Sequence, residues 1–489
     1  MNVLVNLRYF LFALILLPTL TFPIHIYDEG VVLVNAQRII NGDMPYKDFW
    51  SIYTPGQFYM YSLFLMITDN LLVIRILECI FGVLFIDIIY RIIFQNIDNF
   101  IVSLISSALI LFILVRPELR FFPPIYSVLY LCLLTAYCLS KFLKFNKKKY
   151  LYLIFSLQFF TLFFRQDIYV YSLLSLFTVF IALIVKNVLK FRIIIFPLFS
   201  FFLLNLFLLL ILFSFNYFPD IIEQLLLEPL SIMPQYRKID VGLQYYILFI
   251  FSILNLIVVF IYVFVYNDRK YYSSLYLSIL CLLLSKQMFN RADIIHSMPV
   301  FICLLILLLS HIFRKIRSVR FRYGGFIIFS LSCYGIYFFF SNMKEQVQKK
   351  NEYKIDNFLV ATLDKNTIDI IKYIEKHTKI NDYIYVGVEN HDKFLISDVI
   401  LYFFFERKIP TKYTELHPGI TNTKLNQEEI KKELIKTKTK YVVLSNHYWY
   451  ENNKTQIDSK VNLLDDFIKN NYKEIYCNEM YRVLIINNL

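Results

Sequence analysis

Asp28 and Glu29 stand directly behind the first apolar stretch, in Phe22-Pro-Ile-His-Ile-Tyr-Asp-Glu-Gly30. A chain leaving a bilayer at this point places two carboxylates at the membrane surface. An ionised group at membrane depth costs about 2.5 to 3.5 kcal/mol on insertion scales, so such groups persist where a water-filled site uses them. Four further groups of charges share the pattern of lying between apolar runs: Lys47 with Asp48; Arg116, Glu118 and Arg120; Arg165 with Asp167; and Arg291, Asp293 and His296, with Lys286 before them. Carboxylates deprotonate a hydroxyl or an amine, while Arg, Lys and His stabilise a phosphate whose charge grows as it departs. Phosphate is a good leaving group, so a glycosyl phosphate has less need of the general acid that a glycoside requires. One base and a cationic cradle then suffice. A lipid tail would hold such a phosphate at the membrane face, which makes a polyprenyl-phosphate sugar the implied donor.

The elements that must position these residues are membrane helices. Of the 489 residues 58% are hydrophobic and only 10 are Gly, and the mean hydropathy is +0.55, outside the range of an ordinary globular chain. Crossing a hydrocarbon core of about 30 Å takes about 20 helical residues. Apolar runs predict about eleven spans, at 8–22, 71–90, 100–115, 124–143, 150–164, 168–185, 193–215, 244–266, 271–287, 297–313 and 323–340. The run at 57–67 is too short to cross and reads as an interfacial or re-entrant helix. Residues 1–22 lack a small-residue cleavage site and read as an uncleaved helix.

Orientation follows from the positive-inside rule. The loops 141–149, 186–192, 268–270 and 314–322 fall on one side and carry fifteen Lys and Arg residues, whereas 23–51 has only Arg38 and Lys47. The amino terminus is expected inside, the carboxyl terminus outside, and the protein is expected to be a multi-pass constituent of the cell inner (plasma) membrane. On this topology every polar cluster named above falls on the outer face. The turn Phe164-Arg-Gln-Asp-Ile168, bounded by apolar helices, is a poor place for charges that are merely solvated, and a convergent site explains it better.

Several function classes are disfavoured. The net charge of +13 resides in short loops and interleaves with no recognition motif, so nucleic acid is not an expected partner. Cysteines at 79, 132, 138, 281, 303 and 333 fall in expected helices and Cys477 in the outer tail, which leaves no disulfide framework. Neither a Cys-x-x-Cys nor a His-Glu-x-x-His spacing is present, and no Gly-rich phosphate loop, so nucleotide sugars are poor donor candidates. The 38 Tyr and 50 Phe are accounted for by aromatic belts at the membrane interfaces.

Tyr27-Asp-Glu-Gly30, Ala36-Gln-Arg-Ile-Ile-Asn-Gly42, Pro45-Tyr-Lys-Asp48 and Tyr53-Thr-Pro-Gly56 together resemble the first outer loop of the C-type glycosyltransferase superfamily, in particular its branch of protein mannosyltransferases and lipid A aminoarabinose transferases. Arg165-Gln-Asp167 and Arg291-Ala-Asp-Ile-Ile-His296 resemble motifs of bacterial members. The resemblance covers residues 8–340 in architecture and is closest over 27–60. It implies that Asp28 is the catalytic base, supported by Glu29, that Lys47 and Asp48 line the site, and that Glu118 stands where the family usually has Asp. Arg116, Arg120, Arg165, Asp167, Arg291, Asp293 and His296 would then bind substrate or phosphate. Members that transfer to hydroxyls are generally metal-free, while oligosaccharyltransferases use a divalent ion bound by acids; no metal or other cofactor is expected here, with a divalent cation as the alternative. The expected partners are a polyprenyl-phosphate-linked sugar, a lipid, glycan or protein acceptor, and membrane lipids.

Plainer readings accompany each residue. Asp28 and Glu29 also suit the first turn of an amphipathic helix over 29–41, where acids are electrostatically favoured. Arg165 with Asp167 also reads as a structural ion pair. Lys286 reads as a side chain reaching for the interface. A transporter or flippase of a lipid-linked sugar is the alternative function, although inverted repeats and broken helices are not evident.

The tail from 341 to 489 is polar enough for a soluble domain. Helical spacing at 364–378, 396–406, 427–438 and 458–470 alternates with strand-like runs at 383–388, 441–445 and 481–486. This predicts an extracytoplasmic α/β domain with a small, mostly parallel sheet. Its most distinctive loop is Tyr413-Thr-Glu-Leu-His-Pro-Gly419. The whole chain thus reads as a polytopic α-helical membrane protein of the C-type glycosyltransferase kind, with domain 1–340, its first outer loop at 23–70, and an outer α/β domain at 341–489.

Overall fold

The computed structural model describes residues 2–116, 120–121, 123–232, 240–316, 363–393, 397–417, 419–446 and 459–487. Glu118 and the span expected at 323–340 lie outside the described residues. Two compact units emerge, and they do not follow the boundary at 340. The first comprises 1–22, 75–215 and 241–350; the second gathers 23–74, 216–240 and 351–489. The first outer loop thus belongs to the same unit as the carboxyl-terminal domain.

The first unit is helical. Among the described residues five helices are long and apolar enough to cross a membrane: Pro124–Phe145, Gln166–Val185, Phe191–Phe213, Leu243–Phe264 and Ile294–His311. Asn6–Thr21, Phe100–Leu114 and Lys149–Phe164 are shorter apolar helices. The spans expected at 71–90 and 271–287 form helices Leu71–Ile97 and Tyr272–Asn290. Phe191–Phe213 and Leu243–Phe264 leave most of their apolar surface uncovered, with Phe196 and Phe213 each 70% exposed. Continuous apolar faces of this size are costly in water and suit a lipid surrounding, where helices satisfy their own backbone groups. The interior is closed by Phe12, Phe85, Tyr126, Leu133, Leu176, Tyr276 and Ile306.

Ions inside this unit are paired. Arg75 is 1% exposed and donates through Nη1 to the carbonyls of Leu20 and Phe22 at 3.0 and 2.6 Å, which ties the first helix end to Leu71–Ile97. Asp87 takes Arg8 and Arg91, each at 2.5 Å. Buried charges persist only with such partners, since removing one leaves the other unsolvated.

The second unit holds a four-stranded sheet of order β1-β2-β4-β3, with β1 Ile384–Val388, β2 Tyr441–Ser445, β3 Tyr472–Cys477 and β4 Tyr481–Ile486. β1 and β2 are parallel, with Ile384 opposite Tyr441; β2 and β4 are antiparallel, as are β3 and β4. The sheet is therefore mixed rather than mostly parallel. The difference lies in β3, a charged edge strand that follows helix Leu463–Asn471 without a break and so carries no period-two signal of its own. Lys473 and Glu474 on this edge discourage pairing with another chain.

Helices Lys365–His377 and Lys424–Lys436 are started by the side chains of Asp364 and Thr423, which accept from the backbone amides of Thr367 and Asn426, the usual remedy for unpaired helix-start donors. Trp50, Ile52, Tyr385, Tyr413, Leu434, Val442, Leu464 and Leu484 form the core. Two of these come from the first loop, so the sheet domain does not complete its core from the tail alone. The run at 57–67 forms helix Gly56–Ile67.

Candidate functional site

Two turns of the helical unit are built alike. Helix Lys149–Phe164 ends at Arg165, and Gln166–Val185 begins with the next residue. Arg165 donates from Nε and Nη2 to Asp167 Oδ1 and Oδ2 at 3.0 and 3.2 Å, a bidentate pair. Asp167 also accepts from the backbone amide of Ile168 at 2.8 Å, which anchors it in the first turn of its helix. Helix Tyr272–Asn290 ends at Arg291, and Ile294–Ile316 follows. Arg291 Nε donates to Asp293 Oδ2 at 2.6 Å. Asp293 Oδ1 accepts from the backbone amide of His296 at 2.9 Å and meets its Nδ1 at 2.7 Å. In each case the cation that closes one helix is held by the acid that opens the next.

Gln287 joins the two turns: its Nε2 donates to Asp167 Oδ2. Both Arg165 and Arg291 lie within electrostatic reach of His296. Arg165, Asp167, Arg291, Asp293 and His296 are therefore one cluster at one end of the helices. Burial works to raise the Asp293 carboxyl, but the hydrogen bond and charge of His296, with Arg291 beside it, hold it well below the usual carboxylate range. Asp293 is a permanent anion there, suited to positioning Arg291 and His296 and unsuited to donating a proton. A carboxylate on the Nε edge fixes the plane of a guanidinium fork, and a planar fork held in place suits a phosphate oxyanion.

The second-loop residues behave differently. Arg120 is 2% exposed and paired with Glu78 at 3.4 Å, a buried link between helix Leu71–Ile97 and the connection that precedes Pro124–Phe145. Arg116 is partly exposed at the end of Phe100–Leu114.

Within the second unit, Asp28 and Glu29 open helix Asp28–Ile40. Asp28 is 39% exposed, with His25 Nδ1 at 3.5 Å from its carboxylate, and its backbone amide donates to the same nitrogen at 3.0 Å. Glu29 is buried and accepts from the His25 amide at 3.0 Å, so its carboxylate staples the helix entry. Lys47 is exposed; Asp48 accepts from the Met44 amide at 2.9 Å and holds a tight loop. Arg38 is buried and bonds Asp43, the Asp48 carbonyl and the Thr411 carbonyl. Residues 413–417 are buried: Glu415 accepts from the Tyr27 hydroxyl at 2.8 Å, and His417 lies 5.4 Å from the Trp50 ring.

Sequence reasoning passed over Gln287, His25, Glu78 and Glu228. Gln287 was discoverable, because it stands four residues before Arg291 on the same helical face. Glu228, which accepts from Trp50 Nε1 at 2.9 Å, had no local signal, since its partner is 178 residues away. Among the described residues no group of three or more His, Cys, Asp or Glu is placed to hold a metal ion.

No family model matches the chain, and no curated protein does so. In structure it is similar to the oligosaccharyltransferase of Archaeoglobus fulgidus, solved as a crystal structure of its complex with zinc and sulfate, with 11% identity over 90% of this chain and 68% of that one and a TM-score of 0.49.

Proposed function

We propose that the protein is an integral membrane glycosyltransferase that moves a sugar from a polyprenyl-phosphate donor to a lipid, glycan or protein acceptor on the extracytoplasmic face. Arg165 and Arg291 are assigned to the donor phosphate, and Asp28, the more exposed member of the acidic pair, to the acceptor proton. The C1–O bond to phosphate breaks, the acceptor oxygen bonds C1, its proton passes to Asp28, and polyprenyl phosphate leaves as an anion stabilised by the guanidinium groups.

The observation that carries this reading is one helix with two chemistries. Ile294–Ile316 begins at the Arg291, Asp293 and His296 turn, and further along it Phe301, Leu304, Leu305 and Leu308 line an apolar groove of about 390 Å³ with Leu248 and Phe251. At 1.5 Å per residue, Phe301 lies roughly 7 Å along the helix from His296. An anionic head with an apolar tail fits that order of groups. The resemblance of the first loop supports the same donor class.

The test is release of polyprenyl phosphate from a panel of polyprenyl-phosphate sugars by the full chain in lipid nanodiscs, followed by mass spectrometry. Release in the native protein and its loss in R165Q and R291Q, with melting temperature kept, supports the assignment. Passage of an intact lipid-linked sugar across proteoliposomes without bond cleavage would replace it with transport.

A further inference from the structure

The opposite end of the helical unit holds a second polar concavity. A cavity of about 660 Å³ opens where helices Leu71–Ile97 and Pro124–Phe145 end and where the turn Arg269–Tyr271 begins the next helix. Lys141, Lys144, Arg269 and Lys270 line it, with Asp98 as the single carboxylate among the described lining residues. Among the described residues none of these four cations has a carboxylate partner. Two of the ammonium groups rest on aromatic rings: Lys141 Nζ lies 5.2 and 5.5 Å from the Tyr137 and Phe145 ring centres, and Lys144 Nζ lies 5.5 Å from that of Phe145.

Two bland accounts fall short. Helix C-termini favour cations, and inner loops are rich in Lys and Arg, but neither requires a concavity of headgroup size. Neither explains Gln95 either, another lining residue, whose Nε2 is buried without a hydrogen-bond partner. A buried amide donor left unmatched costs about 1 to 3 kcal/mol. An acceptor from a ligand would remove that cost, and four cations without a carboxylate partner among the described residues select an anion.

We infer that this cavity binds a phosphate-bearing anion, through the four cations and the Gln95 amide. Basic pockets between membrane helices take anionic headgroups, and a soluble phosphate offers the same oxygens. The experiment uses the full chain in detergent and reads its melting temperature against dihexanoyl phosphatidylglycerol, dihexanoyl phosphatidylcholine and inorganic pyrophosphate. Binding to the folded state raises the melting temperature with concentration. Stabilisation by phosphatidylglycerol alone identifies a lipid headgroup; stabilisation by pyrophosphate identifies a soluble phosphate. In either case the K141Q/K144Q/R269Q/K270Q variant should need at least tenfold more ligand. The Q95L variant, which keeps every charge and fills the amide position with an apolar group, should need several-fold more. No stabilisation by either anion, equal stabilisation by phosphatidylcholine, or an unchanged response in Q95L overturns the inference.

Discussion

The two arginine turns of the helical unit take their acids at short range, whereas the first loop of the sheet unit finds its partners at long range. Arg165 and Arg291 are each held by an acid two residues on. In the other unit Tyr27 reaches Glu415 across 388 residues, and Arg38 reaches the Thr411 carbonyl across 373. The solvent explains the contrast. Helices in lipid satisfy their own backbone and gain little from burying apolar surface against one another, so ionic groups collect at the turns. A four-stranded sheet in water has a small core, and this one gains Trp50 and Ile52 from the first loop. The lesson is that the acidic pair at 28–29 is carried by the sheet unit's architecture and the arginine turns by the helices' own.

The largest effect that tests this division is catalytic. D28N should lower sugar transfer by about 10² to 10⁴, the range for a lost general base, with the melting temperature little changed because the Asp28 side chain is only half-buried. Native turnover in D28N would remove it as the base, whereas E29Q should chiefly loosen the helix start.

Next in size is packing. A Cβ on Gly30 would stand 2.5 Å from the Ile400 amide nitrogen, where helices Asp28–Ile40 and Ile400–Phe405 meet backbone to backbone. G30V should destabilise the sheet unit by on the order of 3 kcal/mol, read as early loss of strand signal on heating. An unaltered melt would mean that the first loop is not part of that unit's core.

A comparable effect depends on pH. Burial raises the Glu228 carboxyl from 4.5 to about 7, partly opposed by the Trp50 hydrogen bond. The folded state then holds this proton more tightly than the unfolded chain. Its stabilisation is complete below pH 4.5 and disappears as pH rises to about 7, a loss of up to about 3 kcal/mol. E228Q should flatten that slope. In a W449F background, where Trp50 is the remaining tryptophan of the two, its fluorescence should titrate near pH 7; a flat signal would count against the buried acid.

The smallest change is Q287L, which takes a donor from Asp167. It should cost about 1 to 2 kcal/mol and weaken donor binding less than R291K, which keeps the charge but loses the planar fork that meets the phosphate. Equal Michaelis constants in native and Q287L proteins would show that the two turns act separately.

Much of the candidate site was visible as residue types. Arg165 with Asp167 and Arg291 with Asp293 and His296 stood out because charges at tight turns between apolar helices are rare. Their pairing needed only local geometry. Arg120 looked alike in sequence yet proved to be buried against Glu78, because the choice between solvent and partner depends on a helix 42 residues earlier. β3 was missed because an edge strand with one exposed face lacks an apolar rhythm.

Periodicity and hydropathy determined by themselves that the chain has long apolar helices, which ends of them collect charge, and that the tail alternates helix and strand, because each follows from the free energy of a segment in its own solvent. Tertiary structure alone decided that the first loop joins the carboxyl-terminal sheet, that Gln287 links two turns, and that Glu228 is buried beside Trp50. Those outcomes depend on which distant surfaces fit together at close-packed density, and no local property of a segment encodes its partner.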